Sequence, residues 1–210
     1  MTADPAQEFQ KVFDSLKKLG LLVVSDTTFP SVTRLITGER MKGSWWSHPL
    51  AHTIFNVNEM LEDHKDVLIV KLVSGKVTFV HRTLWPNLYA IGTARDEWQM
   101  KGLSAPAKAL LQKLEKESEL DTKKLRSTQG VKPGDTAREL ESRLLVHSAQ
   151  VHTESGAHAK KIATWQHWAM RVGLKETSID SQTARRVFQE RVAELNNQFM
   201  ANGRLPWLNS

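Results

Sequence analysis

Two β-rich runs, Val67 to Val73 and Lys76 to Arg82, meet at Ser74-Gly75, and this junction constrains the fold more than any other stretch of the chain. Branched residues favour strands on either side, and the glycine supplies the positive φ that a tight hairpin needs. A helix is expected just before it, because Leu50, Ile54, Val57 and Leu61 recur at helical spacing. His52, Asn56, Glu59 and Asp63 then fall on the opposite side. Ser47, ahead of His48-Pro49, is the expected cap, and a proline near a helix start forfeits no intrahelical hydrogen bond. Residues 43–92 therefore read as helix, wing hairpin, helix.

The same order returns later. Ser104 and Pro106 open a helix lined by Leu103, Ala107, Leu110, Leu111 and Leu114. Glu119-Leu120 reads as a short edge strand and Asp121 as the cap of a brief helix through Leu125. Thr136, with Glu139 three residues on, has capping-box spacing and predicts a helix striped by Ala137, Leu140 and Leu144. A more polar hairpin follows, Leu145 to Val151 and Ala157 to Ile162 around Glu154-Ser155-Gly156, and then a helix from Thr164 to Val172 carrying Trp165 and Trp168. The flanks read as helices too: Pro5 to Leu19 closed by Gly20, Pro30 to Thr37 closed by Gly38, and Ser181 to Phe199 before a tail, RLPWLNS. The predicted class is α+β, predominantly α, with tandem winged-helix units that each carry a β-hairpin wing. The expected divisions are 1–102 for the N-terminal helices and first unit, 103–174 for the second unit, and 175–210 for the last helix and tail.

Charge narrows the function. The 210 residues carry a formal net charge of +6 and no cysteine, which excludes disulfides, thiolate metal sites and cysteine nucleophiles. Residues 1–66 hold two more carboxylates than cations, whereas 67–103 and 104–132 each hold three more cations than carboxylates. An anionic polymer would lie along the first hairpin and the middle helices. No apolar run approaches membrane-spanning length and no secretory leader is seen, so a cytoplasmic protein with no membrane partner is expected.

In a winged helix one helix enters the major groove and the hairpin contacts the backbone or minor groove. Thr136, Arg138, Ser142 and Arg143 can face outward on the second recognition helix, with an ordinary solvated helix face as the plain alternative. Lys71, Lys76, His81 and Arg82 give the first wing a basic edge, and His152, His158, Lys160 and Lys161 do so for the second. Lysines on exposed strands also deter edge-to-edge pairing. The cluster His147, His152, Glu154 and His158 matches no standard metal-ligand spacing, so no metal and no cofactor are expected. Glycine-rich phosphate loops, nucleophile elbows and His-Glu-x-x-His patterns are absent from the sequence. Two adjacent tryptophans, Trp45 and Trp46, cannot share one helical face; one should pack on the core while the other covers surface or offers a stacking platform.

The stretches GSWWSHPLAHTIF, VLIVKLVSGKVTFVHRTLW and LLVHSAQVHTESGAHAKKIATW together resemble a bacterial family related to AlkZ-type DNA glycosylases, over most of residues 20–175. The resemblance implies tandem winged helices around a DNA channel and a repair activity on alkylated bases. It also implies a base pocket at Trp45, Trp46, His48, His52 and Asn56. The family's catalytic triplet, Gln-apolar-Gln or Gln-apolar-Asp, has no counterpart here: the corresponding place reads GLLVVSDTTFP, leaving Asp26 as the sole candidate carboxylate. The leading expectation is thus a double-stranded-DNA-binding protein without conventional glycosylase catalysis. The alternatives are an alkylated-base glycosylase and a protein-interaction module, including a homodimer formed through Pro206, Trp207 and Leu208.

Overall fold

A computed structural model describes residues 4–128, 130–152, 158–175 and 177–208. It is mixed α+β and predominantly helical, with two small antiparallel sheets of three strands each. By contacts the chain divides into two compact units, residues 1–85 with 186–208, and residues 86–185. The expected division placed a boundary at 102 and set 175–210 apart. Contacts instead give residues 86–102 to the second unit and most of the last helix and tail to the first.

In the first unit, α1 (Pro5–Leu19) is capped by the Asp4 carboxylate, which accepts from the Ala6 amide at 3.1 Å. It ends at Gly20, whose φ of 78° is the left-handed conformation that releases its N–H to the Leu16 carbonyl. Then come β1 (Leu21–Val23), α2 (Val32–Thr37), α3 (Ala51–Glu62), β2 (Val67–Lys71) and β3 (Val77–His81). The sheet order is β1-β3-β2, with Leu22 opposite Phe79 and Ile69 opposite the same Phe79. Val12, Leu16, Leu22, Val32, Ile54, Val57, Leu61 and Phe79 form its core. Removing such side chains from water is the main stabilising term for a unit of this size.

The hairpin turns where the sequence says it should. Ser74 and Gly75 have φ of 52° and 68°. Its tip is occupied by the C-terminal tail: Ser74 N donates to the Arg204 carbonyl at 2.7 Å, and Arg204 N donates to Ser74 Oγ at 3.2 Å. Trp207 is 7% exposed and meets Phe188 edge to face.

The start of α3 differs from the expectation. Ser47 is no cap, because the ring of Pro49 holds the preceding His48 extended, at φ −76° and ψ 143°, and the helix cannot begin before the proline. Trp45–Ser47 instead forms a separate 3-10 turn capped by Ser44, and His48 Nδ1 accepts from the Leu50 amide at 3.1 Å.

In the second unit, α4 (Trp85–Thr93) and α5 (Glu97–Met100) lead into α6 (Ala105–Glu117), β4 (Glu119–Asp121), a 3-10 turn at Thr122–Lys124, α7 (Pro133–Ser142), β5 (His147–His152), β6 (His158–Ala163) and α8 (Trp165–Arg171). The sheet order, β4-β6-β5, repeats that of the first unit. The last helix, α9 (Ser181–Phe199), contributes residues to both units. Leu103, Ala107, Leu111, Leu114, Leu120, Ala137, Leu140 and Ile162 make the core of the second unit. Gly92 is required by close approach, since any Cβ there would overlap the Trp165 indole, whose Nε1 donates to the Leu144 carbonyl at 2.7 Å.

The capping box at Thr136 and Glu139 does not form. Lys132 is extended before Pro133, so the helix starts at the proline, and Thr136 is already one turn inside, 5% exposed. Glu139 turns elsewhere, accepting from Ser104 N at 2.9 Å and Ser104 Oγ at 2.6 Å at the start of α6. The turn at residues 153–157 lies outside the described residues.

Candidate nucleic-acid interface

Helix α3 presents His52, Phe55 and Asn56 to solvent, with Glu62 and Asp63 at its end. Trp46 is 63% exposed and lies parallel to Trp45 with ring centroids 4.1 Å apart, while Trp45 leans on the core. Phe55 stands 5.9 Å from Trp46. The structure thus brings Trp45 and Trp46 together with Phe55, a residue not singled out from the sequence, in an exposed aromatic shelf. His48 is engaged in the turn below it.

Asp26 is a structural anchor. Its Oδ1 accepts from the amides of Thr28 and Phe29, both at 2.8 Å, and its Oδ2 pairs with Lys76 at 2.6 Å. Burial works against its charge, but the Lys76 hydrogen bond and the two amides outweigh it, so its carboxyl sits below the usual carboxylate range. These bonds engage both oxygens of the carboxylate that a catalytic reading would need to address a water.

The first wing has little free charge. Besides Lys76, Arg82 pairs with Asp66 at 2.7 Å. His81 is 5% exposed, and burial chiefly lowers its pKa, aided by Lys17, Arg82 and His64 and opposed by Asp66. A neutral, enclosed imidazole cannot serve as an exposed phosphate contact. Of the three permanently charged residues expected on this wing, Lys76 and Arg82 are paired and Lys71 forms no ion pair among the described residues.

On the second unit, Arg138 and Ser142 do face outward on α7, Arg138 pairing with Asp135 at 2.9 Å one turn back. Thr136 is interior. Arg143 is consumed in the fold: one guanidinium nitrogen reaches the carbonyls of Trp98, Gln99 and Lys101 at 2.8–3.2 Å. Lys160 pairs with the buried Glu141 at 2.7 Å, and Lys161 with Glu119 at 3.0 Å. His152 and His158 pair across the strands, and their side chains lie outside the described residues, as does Glu154.

The cations that remain available are others. Lys108, Lys116, Lys123, Lys124, Arg126 and Lys132 are exposed and form no ion pair among the described residues. Lys124 and Arg126, with Lys113, rim a groove of about 400 Å³ floored by Pro106, Leu110, Leu125 and Pro133, against the start of α7. The surplus of cations over residues 104–132 was the sequence signal for this surface, although no single residue in it carries a motif.

Two units, each with a three-stranded antiparallel sheet and the second presenting a helix flanked by cations that form no ion pair among the described residues, define a mixed, mainly helical protein. The AlkZ-related family model matches residues 6–202, and the chain belongs to that family. No curated protein and no solved structure matches the chain. Among the described residues no helix is long and apolar enough to cross a membrane.

Proposed function

We propose that this is a cytoplasmic, tandem winged-helix protein that binds double-stranded DNA through its second unit and lacks conventional glycosylase catalysis. One observation carries the reading: α7 follows a short turn in the position of a recognition helix, and a run of exposed cations, Lys123, Lys124, Arg126 and Lys132, that form no ion pair among the described residues flanks it. Arg138 and Ser142 face the groove, while Lys123, Lys124, Arg126 and Lys132 neutralise phosphates. Both units run helix, strand, short helical segment, helix, hairpin, with an added 3-10 turn before α3 in the first, and share the sheet order edge-centre-edge, which supports the winged-helix assignment.

The first unit is the scaffold. Its recognition-position helix ends in carboxylates, two of its wing cations, Lys76 and Arg82, are paired internally, and its wing tip holds the tail. With Trp207 used inside its own unit, a homodimer through the tail would rest on Leu208, which is 57% exposed. Absence of catalysis is supported by the missing Gln-apolar triplet and by the occupied oxygens of Asp26. The reading is tested by incubating the protein with undamaged and alkylated duplexes. Binding to both with no abasic sites is expected; abasic sites that vanish in Asp26→Asn would overturn the non-catalytic part.

A further inference from the structure

Helix α7 packs on one face of the second sheet; a separate cavity lies on the other. Leu120 and Ile162 point to the α6–α7 core, so by strand alternation Glu119, Lys161 and Ala163 point away from it. His147 and Ala149 share that far face on β5, and α8 covers it with His167 and Arg171 one turn apart. The space is a half-open cleft of about 310 Å³, at the small end of the range for ligand pockets.

Its chemistry is asymmetric. Glu119 Oε1 pairs with Lys161 at 3.0 Å and Oε2 with Arg171 at 3.0 Å, with His167 Nε2 3.9 Å from Oε2. Two fixed cations and one carboxylate leave an excess of one positive charge. Arg171 donates to the protein through a single guanidinium nitrogen among the described residues, so the rest of its planar fork remains available for a carboxylate. Burial holds Glu119 back from ionising, but Lys161, Arg171 and His167 more than compensate, keeping it charged as an acceptor.

The end wall is neutral. His147 is buried against Trp165 and Trp168, at centroid distances of 6.0 and 5.8 Å. Burial, with Arg171, pushes its pKa down to about 4 against the opposing pull of Glu119, so it is an uncharged imidazole at ordinary pH. The two alanines of the floor keep space open beneath the charges.

We propose that this cavity binds a small organic carboxylate bearing an adjacent hydrogen-bond donor, an α-hydroxy or α-amino acid. The carboxylate sits on Arg171 and Lys161, the donor on a lone pair of Glu119 left over beside its bonds to Lys161 and Arg171, and the uncharged remainder against His147. The site lies on the sheet face opposite α7, so its occupancy is separable from duplex binding.

The test uses the full chain with ¹³C-labelled histidine, titrated with L-lactate, L-alanine, acetate and inorganic phosphate at constant ionic strength. Saturable shifts at His147 and His167 are expected with L-lactate or L-alanine, at least about tenfold tighter than with acetate. Lys161→Gln with Arg171→Gln should weaken binding by at least about tenfold. Ala149→Val, which keeps every charge but fills the floor, should do the same, so loss of folding in the charge variant leaves a second arm. Shifts that merely track added chloride, tighter binding of phosphate, or saturation unchanged in Ala149→Val would each overturn the proposal.

Discussion

Replacing Lys123, Lys124 and Arg126 with alanine removes three exposed cations and little else. None forms an ion pair among the described residues, and the Asp121 cap uses only the backbone amide of Lys123. Each phosphate neutralised by a protein cation releases condensed counterions, contributing about 0.9 to the slope of log affinity against log salt. Three lost contacts should therefore lower that slope by about 2.7. Raising salt from roughly 50 to 200 mM should then cost the unaltered protein about 40-fold more affinity than it costs the variant. Fluorescence anisotropy of a labelled duplex across that range measures both slopes. As a contrast, Lys76→Ala with Arg82→Ala removes cations already engaged with Asp26 and Asp66, and should leave the slope nearly unchanged. An unchanged slope in the triple variant, or an equal loss in the contrast variant, would refute the assignment of the phosphate contacts.

Three further outcomes follow from the packing. Arg143→Met should destabilise the second unit by about 2–3 kcal/mol in urea, because three carbonyls lose a charged donor, while leaving the salt slope intact. Gly92→Ala should cost about 1–3 kcal/mol in the same assay by forcing Trp165 aside; neutral stability would contradict the close approach. His147 has a folded pKa depressed to about 4 from 6.5, so its neutral form stabilises the fold fully above the unfolded value. As pH falls from 6.5 toward 4 the unfolded chain takes up the proton first, and about 3 kcal/mol of stability is lost. His147→Gln should flatten that stretch of the urea-stability profile; an unchanged profile would show that the ring is not held neutral.

How far the sequence carried depended on how local the determining forces were. The first hairpin was legible because Ser74-Gly75 and its flanking branched residues act within a few residues of one another. The repeated element order was legible for the same reason, without any residue-by-residue similarity. Helix starts were misplaced by three or four residues at Pro49 and Pro133, where a proline fixes the conformation of the residue before it and overrides a well-spaced serine or threonine. The site was harder to read because free charge is a tertiary property. Lys76, Arg82, Lys160 and Lys161 look alike in the sequence to Lys123 or Lys124, and only the fold brings Asp26, Asp66, Glu141 and Glu119 to them. Arg143 illustrates the extreme case, its partners being backbone carbonyls about forty residues away that no composition rule can anticipate. The regional charge surplus survived because it does not depend on individual pairings.

The most direct measurement is an amide chemical-shift map of the full chain titrated with a blunt DNA duplex. Shifts concentrated on residues 122–142, spanning the turn, the basic loop and α7, are expected, with α3 and the first wing left nearly silent. Shifts centred on α3 and the hairpin at Ser74, or no saturable response at all, would contradict DNA recognition by the second unit.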